Sequence, residues 1–260
     1  MIRTLVSIEI DLASSYAIRY ACQLGNLMEM EINPVYVKGY YSQEPTTGIG
    51  WVRHTWEREI IKQGKEEIAE MIASEMDSCP TLNEPRVIYG DREPELIRLM
   101  AQEAFDLYVE GAPFPFNPAT IHNRLRMKFY QRLKCPLIWL RSVRKIDQII
   151  VLCLDTPGTK ALTQALPRLW AGCPVPVHLG FPGDKAELAQ AAAQAGEVLK
   201  EAGCRTKVLE PLPPLTGGTG VEALDDYGLV ALALEKGIRK DHDLLQWLPQ
   251  IKAPLLLALR

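Results

Sequence analysis

The sequence has no long apolar run, no closely paired cysteines and no excess of charge of either sign, and each absence removes a class of function. The longest apolar stretches, such as 254–259, fall far short of the ~20 residues a membrane-spanning helix needs, and Met1-Ile2-Arg3-Thr4-Leu5 carries no signal-peptide core. The chain is therefore expected to be cytoplasmic, without a membrane partner. Its 29 basic and 32 acidic residues leave a net charge of −3, which gives no field to gather nucleic acid. Six cysteines are scattered with no C-x-x-C pair and no Cys/His ligand run, so no metal site is expected and all six are expected to be reduced. Histidines are few, and His54, His122, His178 and His242 stand far apart, none beside a Ser or Cys nucleophile in a recognisable motif. What remains is 260 residues, 47% of them hydrophobic, enough for one large domain or two of about 130 residues.

The chain repeats itself. Lys134-Cys135-Pro136-Leu137-Ile138-Trp139-Leu140 is echoed by Lys252-Ala253-Pro254-Leu255-Leu256-Leu257-Ala258. Leu5-Val6-Ser7-Ile8-Glu9-Ile10-Asp11 matches Ile149-Ile150-Val151-Leu152-Cys153-Leu154-Asp155, and Phe105–Val109 finds a counterpart in Tyr227–Ala231. Three anchors in one order divide the chain into repeats at 1–141 and 145–260. Within each, short apolar runs alternate with amphipathic stretches, the pattern of a parallel sheet covered by helices. In the first repeat, strands are expected at 5–10, 32–37, 87–89, 107–110 and 137–140. A helix capped by Ser14 or Ser15 should end at Gly25, and others should cover 52–77, the stretch after Pro94, and 119–134. The second repeat follows the same order, with strands at 149–154, 175–179, 205–209, 229–234 and 255–259.

These residues resemble the universal stress protein family in its tandem form. The resemblance is carried by Glu9 at the end of the first strand, the Gly90-Asp91-Arg92-Glu93-Pro94 turn, Asp106-Leu107-Tyr108-Val109-Glu110-Gly111, and Cys135-Pro136-Leu137-Ile138. It implies an α/β fold of two flavodoxin-like, adenine nucleotide alpha hydrolase-like parallel sheets sandwiched by helices and related by pseudo-twofold symmetry. It also implies a role in stress response or signalling, with fifth strands pairing across the twofold axis. Leu137, Trp139, Leu255 and Leu257 would form that interface, making the chain an intramolecular pseudo-dimer.

Many members of the family bind ATP through a Gly-x-x-Gly, nine residues, Gly-Ser/Thr loop, whose bare backbone N–H groups approach the phosphates. Here Gly111 is kept, Phe114 replaces the second glycine, and Arg124 falls where the later glycine would be. The Pro113-Phe114-Pro115-Phe116-Asn117-Pro118 run removes three N–H donors and adds two rings, so the phosphate cradle is read as lost. If a nucleotide such as ATP or AMP were kept, the resemblance places it against Glu9, Val37, Gly111, Arg124 and Asp155. The Thr216-Gly217-Gly218-Thr219-Gly220 run lacks the Gly-Lys-Ser/Thr ending of a phosphate loop and reads as a turn. Arg124, Arg126, Lys128 and Arg132 give the 119–134 helix a basic outer face, suited either to solvent or to an anion or acidic partner.

Three functions follow as expectations. The leading one is a non-catalytic tandem protein of this type, with no cofactor, acting on a protein partner through its surface. The alternatives are an ATP-binding, slowly hydrolysing protein with a remodelled loop, and an anion- or protein-binding module using the basic helix.

Overall fold

The computed structural model describes residues 1–39, 50–76, 79, 81–215 and 219–260. Residues 40–49, the last residue of the expected 52–77 helix, the side chain of His54 and the 216–218 part of the Gly/Thr run lie outside the described residues. In the first half the order is β1 (Ile2–Ile8), α1 (Leu12–Leu27), β2 (Met30–Lys38), α2 (Gly50–Met76), β3 (Arg86–Tyr89), α3 (Arg92–Gln102), β4 (Leu107–Gly111), α4 (Pro118–Leu125), α5 (Lys128–Arg132) and β5 (Leu137–Leu140). The second half continues with β6 (Ile149–Leu152), α6 (Thr156–Leu169), β7 (Pro176–Gly180), α7 (Ala186–Glu201), β8 (Arg205–Val208), α8 (Thr219–Glu222), β9 (Leu229–Leu234), α9 (Asp243–Trp247), a 3-10 turn at Leu248–Gln250 and β10 (Leu255–Leu259).

Among the described residues the strands form one ten-stranded sheet in the order β3-β2-β1-β4-β5-β10-β9-β6-β7-β8, in which the two expected five-stranded parallel sheets are joined edge to edge through their fifth strands. The order reads the same from either edge once five is subtracted from the second-half numbers. Neighbours within each half are parallel, and β5 and β10 join the halves antiparallel, with Leu137 opposite Leu257, Ile138 opposite Leu256 and Trp139 opposite Leu255. The fusion has a physical cause. Both strands are apolar and buried on both faces, and leaving either as an open edge would expose unpaired backbone groups beside an apolar surface.

Helices α1, α2, α6 and α7 pack on one face of the sheet and α3, α4, α5, α8 and α9 on the other, so each core layer runs through both halves. Polar contacts cross the seam as well. The buried Tyr20 hydroxyl donates to the Gly228 carbonyl at 2.8 Å, and Arg168 pairs with Asp106 at 2.7 Å.

Four local expectations change. Helix α1 is capped by Asp11, whose Oδ1 accepts from the Ser14 N–H at 2.7 Å while Ser14 Oγ accepts from the Glu9 N–H at 2.7 Å. The two bonds together satisfy the Ser14 and Glu9 N–H groups at the start of the helix. The helix also runs past Gly25, where an added Cβ would lie 2.6 Å from Thr81 Oγ1; this glycine serves packing, not termination. The single helix expected at 119–134 is broken at Arg126–Met127. There the Phe129 N–H is taken by the Glu93 carboxylate of α3 at 2.9 Å, a tertiary cap that starts α5 afresh. Finally, Cys22 of α1 and Cys79, beyond α2, are disulfide-bonded with Cα atoms 5.4 Å apart, a spacing that suits a bridge, while Cys135, Cys153, Cys173 and Cys204 are free and buried.

The sheet also corrects the alignment of the halves. Leu5 pairs with Tyr108 and Ile150 with Val230, and all four lie in one core layer, whereas Ile149 lies in the other. A one-residue slip would exchange the faces. Leu5 therefore corresponds to Ile150, and the connection into the following helix is one residue shorter in the second half: Glu9-Ile10-Asp11 against Leu154-Asp155.

Candidate functional site

In the first half the strand order reverses between β1 and β4, and the crevice beyond their carboxyl ends is where open α/β sheets hold ligands. β1 brings Ser7 there and Glu9 just past its end, β4 brings Glu110 and Gly111, the first turn of α3 brings Arg92, and α4 brings Arg124. The space left between them is about 130 Å³. Small-molecule sites usually span roughly 300–1,000 Å³.

Glu110 fills the crevice. It is 1% exposed, and a carboxylate so deeply buried must be paired and hydrogen-bonded to be tolerated. Its Oε2 accepts from Arg92 Nη2 at 3.1 Å and the Tyr108 hydroxyl at 2.9 Å. Its Oε1 accepts from Trp139 Nε1 at 2.7 Å and from the Tyr130 hydroxyl. Four donors match the roughly four acceptor sites of a carboxylate. Arg124 lies 3.9 Å from Oε1 and donates to the Tyr130 hydroxyl at 3.1 Å. Arg92 also donates to Ser7 Oγ at 2.9 Å, and its Nε lies 2.9 Å from Glu9, a charge contact not aligned as a hydrogen bond.

The two arginines thus balance Glu9 and Glu110. Burial raises the Tyr108 and Tyr130 hydroxyls well above their usual range, with Glu110 adding to it, so both stay protonated donors. Burial opposes the Arg92 charge, but Tyr108, Glu110 and their neighbours outweigh it and hold the guanidinium more basic than usual. Burial likewise lifts the Glu9 carboxyl above its ordinary value, against the pull of Arg92.

Above this network lies the Pro113–Pro118 segment. Phe114 and Phe116 stack on each other with centroids 5.8 Å apart and both meet Trp139 edge-on at 5.9 Å. The Arg124 guanidinium sits 3.9 Å over Phe114, and that of Arg141 4.5 Å over Phe116. Rings and cations thus cover the network on this side. Gly111 has a packing reason of its own: an added Cβ would lie 2.2 Å from the Ala13 carbonyl oxygen at the start of α1.

Of the residues singled out from the sequence, Glu9, Gly111 and Arg124 meet in this crevice. Val37 is buried in the core and does not line it. Asp155 caps α6, accepting from the Gly158 N–H at 2.5 Å, which makes it the counterpart of Asp11, not of Glu9. Arg124 is turned inward, away from the basic face where the sequence placed it, while Arg126, Lys128 and Arg132 remain exposed. The sequence reading missed Arg92, Tyr108, Glu110 and Tyr130 as site residues, and placed Trp139 only at the seam. The available signal was a carboxylate closing the otherwise apolar Leu107–Val109 strand, which demands a buried cation.

Compared with solved structures, the chain superposes over 99% of its length on 96% of a universal stress protein from Archaeoglobus fulgidus DSM 4304, with a TM-score of 0.65 at 12% identity. The chain has the universal stress protein fold. A second structure of that kind, from Pseudomonas aeruginosa UCBPP-PA14, matches 99% of this chain and 92% of its own with a TM-score of 0.52 at 12% identity. The cytoplasmic domain of a prokaryotic cation chloride cotransporter matches 98% of this chain and 94% of its own with a TM-score of 0.55 at 11% identity. No family model and no curated protein sequence matches. Among the described residues, no helix is long and apolar enough to cross a membrane.

The second half of this universal stress protein fold closes the corresponding crevice differently. The positions of Ser7, Tyr108, Glu110 and Trp139 are taken by Leu152, Val230, Leu232 and Leu257, all buried in one apolar layer. At its rim, Arg260 bridges Asp155 at 3.1 Å and Glu235 at 3.0 Å.

Proposed function

We propose that this protein is a non-catalytic stress-response or signalling protein with a tandem universal stress protein fold, whose nucleotide crevices are closed by its own side chains. In this reading 1–141 and 145–260 are two copies of one ancestral unit, held as an intramolecular pair. The observation that carries the reading is Glu110, with all its acceptor sites taken by donors from β4, α3, α5 and β5. ATP or AMP would have to break that network, displace the Phe114–Phe116 stack, and still find no run of free backbone N–H groups. The protein then acts through its surface on a protein partner, with the exposed Arg126, Lys128 and Arg132 as the side offered to an acidic one. The same fold forms the cytoplasmic domain of a cation chloride cotransporter.

Calorimetric titration with ATP or AMP in the presence of Mg²⁺ tests the reading. It predicts no saturable binding. One site per chain with a dissociation constant tighter than about 10 μM, near −7 kcal/mol, would overturn it in favour of a nucleotide-binding protein with a remodelled loop.

A further inference from the structure

A second cavity lies away from the crevice, and its chemistry is different. It encloses about 840 Å³ between the C-terminal half of α3, the α5–β5 connection and Lys236, which follows β9. Because β5 and β10 run antiparallel, the start of β5 in one half and the end of β9 in the other lie at the same end of the sheet with β10 between them, and Lys236 from the second half completes a lining otherwise drawn from the first. The junction is bonded: Lys236 Nζ donates to the Leu133 carbonyl at 2.8 Å, and Gln131 Nε2 to the Lys236 carbonyl at 2.9 Å.

The floor is apolar, formed by Ile97, Met100, Phe105, Phe129 and Leu133. The rim is basic. Arg132 and Lys134 are exposed and have no acidic partner among the described residues, and Lys236 is half-buried with only a carbonyl for company. Among the described lining residues the acid is Glu103, already engaged by Arg3 at 3.0 Å and Arg86 at 2.6 Å. The result is a ligand-sized cavity with an apolar floor and positive charge at its mouth, which suits a guest that is apolar along its length and anionic at one end: a free phosphate would leave the floor unused, and a neutral hydrocarbon would make no use of the cations.

We propose that this inter-half cavity binds a single-chain fatty acid, the acyl chain against Met100, Phe105 and Phe129 and the carboxylate at Arg132, Lys134 and Lys236. The site shares Arg132 with the surface offered to an acidic partner but no lining residue with the first-half crevice, so the nucleotide titration and the fatty-acid titration fail separately.

The test is calorimetric titration of the full chain with sodium decanoate below its micelle concentration, beside octanoate and decanol. One saturable site per chain is expected. Octanoate should bind about fifteenfold more weakly, from about fourfold per methylene removed. The Arg132→Glu, Lys134→Glu double variant, altering two exposed side chains, should weaken decanoate at least tenfold, and Ala101→Trp, at an exposed lining position, should block it while melting is unchanged. Absence of saturation by about 1 mM decanoate, equal affinity for decanol, or unaltered binding by the double variant would each overturn the proposal.

Discussion

The two halves close the same crevice by opposite means. In the first, Ser7, Tyr108, Glu110 and Trp139 face it and are tied into a polar network with Arg92 and Tyr130; in the second, the corresponding Leu152, Val230, Leu232 and Leu257 are buried in one apolar layer. The backbone frame is shared, as the strand order shows. The difference teaches that a crevice at a strand-order switch, whatever lines it, must satisfy packing and hydrogen bonding. A fully partnered carboxylate and an apolar plug both do so, with different sensitivities to change. An apolar plug loses stability in proportion to the volume removed, whereas a polar network fails sharply when one member is lost, because the rest stay buried and unpaired.

The largest effect should come where the two halves meet. Leu257 is fully buried opposite Leu137, and Leu257→Asp would place a charge without a partner in that seam. A loss of about 4–5 kcal/mol or more in urea-unfolding stability is expected, with both halves melting in one transition. Independent melting of the halves would break the account of a shared core.

Next comes the network. Glu110→Ala leaves Arg92, Tyr108, Tyr130 and Trp139 without their common acceptor, and a loss of about 3–5 kcal/mol is expected. Converting the crevice towards the second-half solution, with Glu110→Leu, Arg92→Met, Tyr108→Phe and Tyr130→Phe together, should recover most of that loss. Denaturant titration of both variants separates a network that specifies the crevice from one that is only as good as apolar packing.

Smaller still, Gly111→Ala must push the Ala13 backbone aside and should cost about 1–3 kcal/mol, read by the shift in thermal melting. The smallest effect is a pH dependence. Burial, with Lys207 nearby, lowers the pKa of His178, whose Nδ1 lies 3.0 Å from the Tyr227 hydroxyl. The folded state therefore binds this proton less readily than the unfolded chain. Its contribution is full above the unfolded value near 6.5 and is lost as pH falls through that range. The melting temperature should fall slightly less between pH 7.5 and pH 5.5 in His178→Gln than in the parent.

Much of the fold was legible because it is written in local periodicity. Ile121, Leu125, Phe129 and Leu133, spaced four apart, are all buried, and the runs 137–140 and 255–259 could only be interior strands. What was not legible is long-range. The break after Leu125 is made by Glu93, some thirty residues earlier, and the Cys22–Cys79 bridge depends on how α1 lies beside the end of α2. The alignment of Leu5 with Ile149 failed because apolar identity does not record which sheet face a residue occupies, and the sheet register does. The proline-rich segment was legible as a run without N–H donors and with two rings, and its rings do pack over Trp139. The residues filling the crevice, however, come from β1, α3, β4, α5 and β5, and no spacing rule joins them.

The central claim is that the first-half crevice is occupied by the chain itself, and the Trp139 indole N–H, which donates to Glu110 inside it, reports on this directly. In a two-dimensional ¹H–¹⁵N spectrum, with the resonance assigned by Trp139→Phe, saturating Mg-ATP should leave the Trp139 indole and Gly111 amide signals unmoved and the indole slow to exchange with solvent. Saturable displacement of both signals by ATP would contradict the account.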